Sequence, residues 1–302
     1  MKKMYGVNTP ISCPMTEKGE VDYESLKNLC DFLIEKGVNG LYPNGSTGEM
    51  CYLSKEEREK VLECVIEANK GRVQVFSMVG ALTTKDTIEL AKHAQEAGAD
   101  GIGVVTPYYF KLDEEELFRY FVDVASSVRD DFSIYLYGIP QLAVNDITPK
   151  LADRIARECP NVVGIKYSYP DMPRLLQFMD VRDGDFSVLA GPDDLFFALM
   201  ASGGDGTISG NSNVIPEHYV AIYEAFKAGD YEKARKLQAK VNRLIAYISG
   251  PNNMARYKAA LKHRGVITSS AVRKPLRRLT PEEEKEFLEK IESMDYTDIT
   301  RY

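Results

Sequence analysis

The residue with the clearest potential for chemistry is Lys166, which ends the apolar run Val162-Val163-Gly164-Ile165. A strand this apolar usually ends in a turn residue, because an ammonium beside apolar walls loses hydration. Burial favours the neutral amine, which is a nucleophile that forms a Schiff base with a carbonyl compound. The alternative is a lysine that extends its ammonium to solvent at a strand end. The neighbouring segments favour the reactive amine.

A small polar segment, Gly45-Ser46-Thr47-Gly48-Glu49, follows an earlier apolar run. Two glycines around adjacent hydroxyls allow backbone N–H groups, Ser46 and Thr47 to converge on a small anion such as a carboxylate. An ordinary polar turn would have the same composition. The segment therefore indicates a carboxylate site only in combination with others.

Further candidates follow other apolar runs. Tyr109 ends Thr106-Pro107-Tyr108-Tyr109, and Tyr137 begins Tyr137-Gly138-Ile139-Pro140. A tyrosine at a strand end often lines a wall with its apolar ring, but beside a reactive lysine it can act as a general acid or base. Small and polar residues at the ends of the last two runs can bind substrate hydroxyls or cap the next helix: Gly191, Asp193 and Ser209.

The elements that must position these residues are eight short apolar runs separated by amphipathic stretches. Strands that are apolar on both faces and alternate with helices predict a parallel sheet covered by helices. Eight such units within about 210 residues favour a closed barrel over an open sheet, and barrels of this kind place their active site at the C-terminal strand ends. The runs cover residues 5–14, 40–43, 73–79, 101–105, 132–137, 162–165, 186–190 and 206–209.

Helix signals lie between the runs. Ser54 followed by Glu57 predicts a capping box, and Thr148-Pro149 and Thr280-Pro281 each predict an N-cap with proline at the first helical position. Residues from about Pro216 onward lose the strand pattern, and a break is predicted at Pro251-Asn252-Asn253. The predicted fold is α/β, a (β/α)₈ barrel over residues 1–225 with a C-terminal helical extension over residues 226–302, packed on the barrel.

Composition limits the partners. The chain has 302 residues, 44% of them hydrophobic, and a net charge of −7, which argues against nucleic acid or an anionic membrane surface. Five scattered cysteines without a Cys-x-x-Cys pair fit reduced, buried thiols, and three distant histidines argue against a zinc site. The N-terminus has no apolar run long enough for a signal peptide. We therefore expect a cytoplasmic protein.

Five segments in this order resemble the dihydrodipicolinate synthase/N-acetylneuraminate lyase family of class I pyruvate-dependent aldolases. They are residues 45–49, 106–109, 137–140, 164–166 and 203–213, within a resemblance that runs from about Met4 to Leu279. The resemblance implies a (β/α)₈ barrel, no metal ion or organic cofactor, small-molecule substrates, and a homotetramer built as a dimer of dimers.

The resemblance also implies roles for single residues. Lys166 matches the Schiff-base lysine, and Tyr137 matches the tyrosine that moves protons to and from the substrate. Ser46 and Thr47 match the hydroxyl pair that holds the pyruvate carboxylate and relays protons. Tyr109 matches a tyrosine that crosses the tight dimer interface into the neighbouring site. Ile208 aligns with a residue whose backbone carbonyl faces the pyruvyl group.

One departure bears on the substrate. Dihydrodipicolinate synthases carry an arginine two residues beyond the proline of their Tyr-Asn-Val-Pro motif, and here Pro140-Gln141-Leu142 places a leucine there. This favours cleavage of a 2-keto-3-deoxy sugar acid to pyruvate and an aldehyde, as in the sialic acid lyase and 2-keto-3-deoxygluconate aldolase branches. The alternatives are condensation of pyruvate with aspartate semialdehyde, which is the 4-hydroxy-tetrahydrodipicolinate synthase reaction, and a non-catalytic pyruvate-binding regulatory protein.

Overall fold

The computed structural model describes residues 1–250 and 252–302. Eight parallel strands follow one another in sequence order around a closed barrel, which confirms both the eight predicted runs and the (β/α)₈ fold class. Every strand except β3 is buried along its whole length, as expected of parallel strands in a sheet whose two faces are both covered. The strands are β1 (Gly6–Thr9), β2 (Gly40–Leu41), β3 (Gln74–Met78), β4 (Gly101–Val105), β5 (Ser133–Gly138), β6 (Val162–Tyr167), β7 (Ser187–Ala190) and β8 (Gly206–Ile208).

Twelve α-helices alternate with and follow these strands in the described residues. The predicted capping box at Ser54 and the predicted N-caps at Thr148 and Thr280 are all present, and Thr280 also forms a capping box with Glu283. The helices are α1 (Tyr23–Glu35), α2 (Lys55–Asn69), α3 (Thr84–Glu96), α4 (Glu114–Ala125), α5 (Pro140–Ala143), α6 (Pro149–Glu158), α7 (Met172–Met179), α8 (Phe196–Ala201), α9 (Pro216–Lys227), α10 (Tyr231–Ile248), α11 (Asn253–His263) and α12 (Pro281–Glu292).

The predicted helix break falls between α10 and α11, although Pro251 itself lies outside the described residues. In the described residues after β8, the elements longer than a turn are the four α-helices α9 to α12, as the loss of the strand pattern predicts. None of the helices in residues 1–250 and 252–302 is both long enough and apolar enough to cross a membrane.

Two compact units can be distinguished within the chain. The first comprises Met1–Tyr5 and Gln74–Ile208, and so contains β3 to β8 and the helices between them. The second comprises Gly6–Val73 and Ser209–Tyr302, with β1, β2 and the C-terminal helices. The predicted domain boundary between residues 225 and 226 remains a prediction.

The pairing of β5 with β6 contains a shift of one residue that matters for the site. Ile134 pairs with Val162, but the next residue, Tyr135, pairs with Gly164, so that Val163 has no partner on β5. Tyr137 is therefore aligned with Lys166. On its other side β6 pairs with β7, and there Lys166 is aligned with Leu189.

Candidate active site

Lys166 lies inside a strand rather than after one. The sequence predicts that it closes an apolar run, whereas β6 continues to Tyr167. The residue is 6% exposed, which excludes the solvent-directed lysine considered as the alternative. A buried amine between two strands is the environment that a Schiff-base lysine needs.

Gly164 and Tyr135 each lie two residues before Lys166 and Tyr137 and on the same face of the sheet, since alternate residues of a strand share a face. A Cβ at Gly164 would lie 2.4 Å from the Tyr135 ring and 2.5 Å from the Ser187 carbonyl oxygen. Only glycine therefore fits there. The Tyr135 hydroxyl accepts a hydrogen bond from the Met4 N–H at 2.8 Å, and burial raises the pKa of this phenol.

Tyr137 is the side chain that the structure brings to Lys166. The Lys166 Nζ lies 4.2 Å from the centre of the Tyr137 ring, and Tyr137 is 2% exposed. A phenol so close to the amine can exchange protons with groups bound to it. The predicted pair of nucleophile and proton carrier is thus adjacent across β5 and β6.

The short helix α5, which follows β5, carries Leu142, which is 67% exposed. The neighbouring Gln141 Nε2 donates to the Ser168 carbonyl at 2.6 Å, so α5 is attached to the residue that follows β6. Behind it, Asp146 accepts hydrogen bonds from the Tyr167 hydroxyl at 3.3 Å and from Arg174 Nη1 at 3.1 Å. The Arg174 guanidinium, which lies on α7, is therefore already paired with a carboxylate.

Three other candidates belong to the same unit. The Gly191 N–H donates to the Tyr167 carbonyl at 2.9 Å, and a Cβ at Gly191 would lie 1.9 Å from Ser168 Oγ, so glycine is required beside the end of β6. Asp193 is half-buried and opens a 3₁₀ turn, Asp193–Leu195. Ile208 is the last residue of β8 and is buried.

Tyr109 is set apart from this group by its exposure. Its side chain is 77% exposed, its backbone has a φ of 85°, and its ring packs edge-on against Phe110 with centroids 5.0 Å apart. Phe110 is 72% exposed, and both rings line a surface groove together with Leu82. An exposed aromatic pair is unusual for a catalytic acid but typical of an interface.

Ser46, Thr47 and Ser209 lie in the second unit. Residues Ser46–Gly48 form one 3₁₀ turn in which the Gly48 N–H donates to the Gly45 carbonyl at 3.0 Å; Thr47 is buried and Ser46 is half-buried. Ser209 is fully buried, and its hydroxyl accepts from the Ser212 N–H at 3.2 Å. Ser209 therefore caps a short 3₁₀ helix, which is the structural role that its sequence position also allowed.

Two arginines, Arg264 and Arg273, could have replaced the arginine that is missing at Leu142 as a partner for a substrate carboxylate, but both are paired with other groups. Arg264 pairs with Glu217, and the Arg273 guanidinium binds both oxygens of Glu57 at 2.5 and 2.8 Å. The hydrogen bond from Arg273 lowers the pKa of the Glu57 carboxyl, despite partial burial. Their positive charges are thus balanced within the second unit.

Sequence reasoning missed several residues of structural importance around these candidates. Gly164 belongs to the motif at residues 164–166, but the sequence does not show that only glycine leaves room there for the Tyr135 ring. Asp146 and Arg174 carry no local pattern that separates them from other surface charges. The partner of Glu49, which is Lys258, lies 209 residues away in the chain. Contacts of this range have no signal in a single sequence.

A closed barrel with a buried lysine beside a tyrosine fits a Schiff-base aldolase, and comparison with known proteins shows this class. A sequence model of the dihydrodipicolinate synthetase family matches residues 3–294, and the chain belongs to that family. The protein is accordingly a carbon–carbon lyase of the kind that forms a lysine Schiff base with pyruvate. This membership favours catalysis over the non-catalytic alternative.

Individual relatives span nearly the whole chain. The 4-hydroxy-tetrahydrodipicolinate synthase of Syntrophus aciditrophicus (strain SB) is 38% identical over 87% of this chain and 89% of its own. Among solved structures, this chain is similar to YagE, a prophage protein of the dihydrodipicolinic acid synthase family from E. coli K12, in complex with pyruvate. The TM-score is 0.92 and the identity 33%, and the match covers 97% of this chain and 99% of that chain. The catalytic lysine mutant of the Ruminococcus gnavus sialic acid aldolase has a TM-score of 0.90 and 33% identity, and that match covers 96% of this chain and 95% of that chain.

Proposed function

We propose that Lys166 is the lysine that forms the Schiff base and that Tyr137 is its proton carrier. The single observation that carries this proposal is the position of the buried Lys166 amine, 4.2 Å from the centre of the Tyr137 ring. Borohydride reduction in the presence of pyruvate, followed by peptide mapping, tests it. The adduct is expected on the peptide that contains Lys166.

In this scheme the Lys166 amine attacks the ketone carbon of pyruvate or of a 2-keto-3-deoxy acid, and the resulting carbinolamine loses water to give an iminium. The iminium accepts electrons from the C3–C4 bond, so that this bond breaks or forms through an enamine. Tyr137 takes the proton of the C4 hydroxyl during cleavage, and protonation of the enamine at C3 then gives the pyruvate imine; in condensation the same proton transfers run in reverse. Hydrolysis of the remaining imine releases pyruvate and restores the amine.

The family resemblance assigns roles to Ser46, Thr47 and Ile208, whereas Gly191, Asp193 and Ser209 are candidates from their residue types and their positions at the ends of the last two strands. Ser46 and Thr47 hold the pyruvate carboxylate through hydroxyl and backbone N–H groups, and the Ile208 carbonyl faces the pyruvyl group. Gly191 and Asp193 contribute to the tail of the substrate site. Ser209 acts at most through its backbone, since its hydroxyl caps the turn that follows β8. No step requires a metal ion or an organic cofactor.

Two reactions, condensation of pyruvate with aspartate semialdehyde and cleavage of a 2-keto-3-deoxy sugar acid, are supported by different observations. The curated relatives carry the name 4-hydroxy-tetrahydrodipicolinate synthase, which supports condensation with aspartate semialdehyde over the sugar-acid cleavage that the sequence departures favoured. Leu142 supports the sugar acid, because a carboxylate without a cationic or multiple N–H partner costs several kcal/mol to bury. The semialdehyde carries such a carboxylate, whereas a polyhydroxy aldehyde does not.

Replacing Leu142 by arginine is expected to raise kcat/KM for the semialdehyde condensation by about 10- to 100-fold, the effect of one charge-assisted hydrogen-bonded partner. Leu142 is 67% exposed, so the substitution leaves the core intact. Both reactions are measured side by side in one preparation of each protein, by pyruvate release from a panel of 2-keto-3-deoxy acids and by condensation.

Leu142→Gln is the matched control, because it adds polarity without charge and should change neither reaction greatly. If the wild-type protein already condenses the semialdehyde faster and cleaves no sugar acid, the argument from Leu142 is wrong and the synthase assignment stands.

We further propose a homotetramer, built as a dimer of dimers, whose tight interface covers the groove at Leu82, Tyr109 and Phe110. The three side chains are 57%, 77% and 72% exposed, and apolar patches of this kind commonly mark an interface. The family resemblance assigns Tyr109 to the neighbouring subunit's site. The cytoplasmic location remains a prediction from composition.

Replacing Tyr109 by aspartate is expected to weaken this association, since a central interface tyrosine commonly contributes about 2 kcal/mol or more. Sedimentation velocity at micromolar concentration measures the change. Tyr231, which is 56% exposed and lies in the other unit, provides the control as Tyr231→Asp. A wild-type monomer with full activity would overturn the proposed assembly.

A further inference from the structure

A buried ion pair lies directly behind the Ser46–Thr47 turn. Lys258, on α11, donates to the Glu49 carboxylate, and both side chains are completely inaccessible to solvent. Lys258 also donates to the Ala271 carbonyl at 2.9 Å, and the second Glu49 oxygen accepts from the Arg273 N–H at 2.8 Å. The pair thus joins the turn to two segments of the C-terminal part of the chain.

Glu49 occupies a backbone conformation that glutamate rarely adopts. Its φ is 62° and its ψ is 33°, and it connects the 3₁₀ turn Ser46–Gly48 to a second turn, Met50–Tyr52. The Glu49 N–H donates to the Ser46 carbonyl at 3.0 Å, while its own carbonyl accepts from the Tyr52 N–H at 2.8 Å. Left-handed backbone at a residue other than glycine persists only where its surroundings enforce it.

The surroundings of the pair balance its charges. Cys13 is the nearby titratable group that could add a negative charge, but burial raises the pKa of its thiol to about 12, so it remains neutral. The Arg273 guanidinium is paired with Glu57. One cation and one anion therefore hold the turn, and each has a hydrogen-bond partner besides the other.

The same helix also reaches the turn through the residue before Lys258. A Cβ placed on Gly210 would lie 3.1 Å from Thr47 Oγ1 and 3.3 Å from the Tyr257 hydroxyl, so these two oxygens border one small space. Tyr257 is 3% exposed. Two successive residues of α11 therefore lie close to this segment: Tyr257 near Thr47, and Lys258 in contact with Glu49.

From this geometry we infer that Glu49 and Lys258 are positioning residues that fix the Ser46–Thr47 turn in the form that binds the substrate carboxylate. The inference rests on the proposed function, which assigns carboxylate binding to that turn. It gives the C-terminal helices a part in substrate recognition. Neither residue touches the substrate, because both side chains are fully enclosed.

The test uses the double variant Glu49→Gln/Lys258→Met, which removes both charges and leaves no buried ion alone. The control is Glu217→Gln/Arg264→Met, which removes another ion pair of the same unit, 14% and 10% exposed. Imine formation is measured by borohydride trapping with two probes, pyruvate and hydroxyacetone. Hydroxyacetone has the ketone but lacks the carboxylate.

Trapping of pyruvate by the Glu49/Lys258 variant at low concentration should fall by about 10- to 100-fold, the effect of losing hydrogen bonds to a charged group. Trapping of hydroxyacetone should not change, and the control variant should behave as wild type with both probes. A purely structural role would lower the trapping of both probes equally. Such a result, or no loss of pyruvate trapping at all, would overturn the inference. Absence of any trapping in the wild-type protein would instead overturn the proposed function.

If the variant does not fold, hydrogen exchange in the wild-type protein tests the same positioning role. Pyruvate should slow amide exchange in residues 46–49 and also in residues 257–261 of α11, whereas hydroxyacetone should slow neither. Protection of residues 46–49 by pyruvate without any change in α11 would overturn the positioning role.

Discussion

Lys166→Met is expected to abolish covalent trapping of pyruvate and to reduce turnover on the order of 10⁶-fold, as removal of a covalent nucleophile does in other enzymes. Methionine fills a similar volume and adds no charge, so the buried site, 6% exposed in the wild type, keeps its packing. Loss of turnover should therefore occur in a folded protein. Activity assays, intact mass after borohydride reduction and a thermal unfolding curve measure the three quantities.

Lys240→Met is the matched control for this prediction. Lys240 is also buried, at 5% exposed, and its amine donates to the Arg301 carbonyl at 2.7 Å. Its loss should lower stability while leaving imine formation intact. A pyruvate adduct on a lysine other than Lys166, in active wild-type protein, would show that the nucleophile has been misassigned.

Tyr137→Phe is expected to lower kcat by ~10²–10⁴-fold, the contribution of a well-placed general acid or base, while trapping of pyruvate continues. Phenylalanine keeps the ring, and therefore the face over which the Lys166 amine lies at 4.2 Å. The substitution separates the proton carrier from the packing that surrounds the amine. Turnover and borohydride trapping are measured on the same preparation.

Tyr135 offers a control on the same strand and the same face. Its hydroxyl binds the Met4 N–H, away from the amine, so Tyr135→Phe should cost stability but retain kcat. Wild-type turnover in Tyr137→Phe would mean that another group moves the proton.

Much of the fold was open to prediction because it depends on local patterns. The apolar runs, the Ser54 and Thr280 capping boxes, and the left-handed glycines Gly37 and Gly98 before the next strand all follow from residue type and spacing. Each of these signals involves residues within a few positions of one another. They determine which elements form and, through their alternation, the barrel.

The site was predictable only in part. Lys166 and Tyr137 were found from their types and strand context, and their adjacency depends on a pairing register that no local pattern states. Glu49 was recognised as the end of a polar turn, but its charge partner comes from a helix near the other end of the chain. Ser209 was named for its hydroxyl, which the structure uses as a cap.

The unpaired Val163 has a consequence for how such a site could arise or be rebuilt. If β6 continued from the Ile134–Val162 pair in a regular ladder with Val163 paired, Tyr137 would be aligned with Ile165. Because side chains alternate between faces, Lys166 would then point towards the opposite face of the barrel wall from Tyr137. A shift of one residue in strand pairing thus decides whether the lysine and the tyrosine meet. A designer who grafts residues 162–166 onto an idealised barrel must therefore either copy the irregularity or omit Val163 with it.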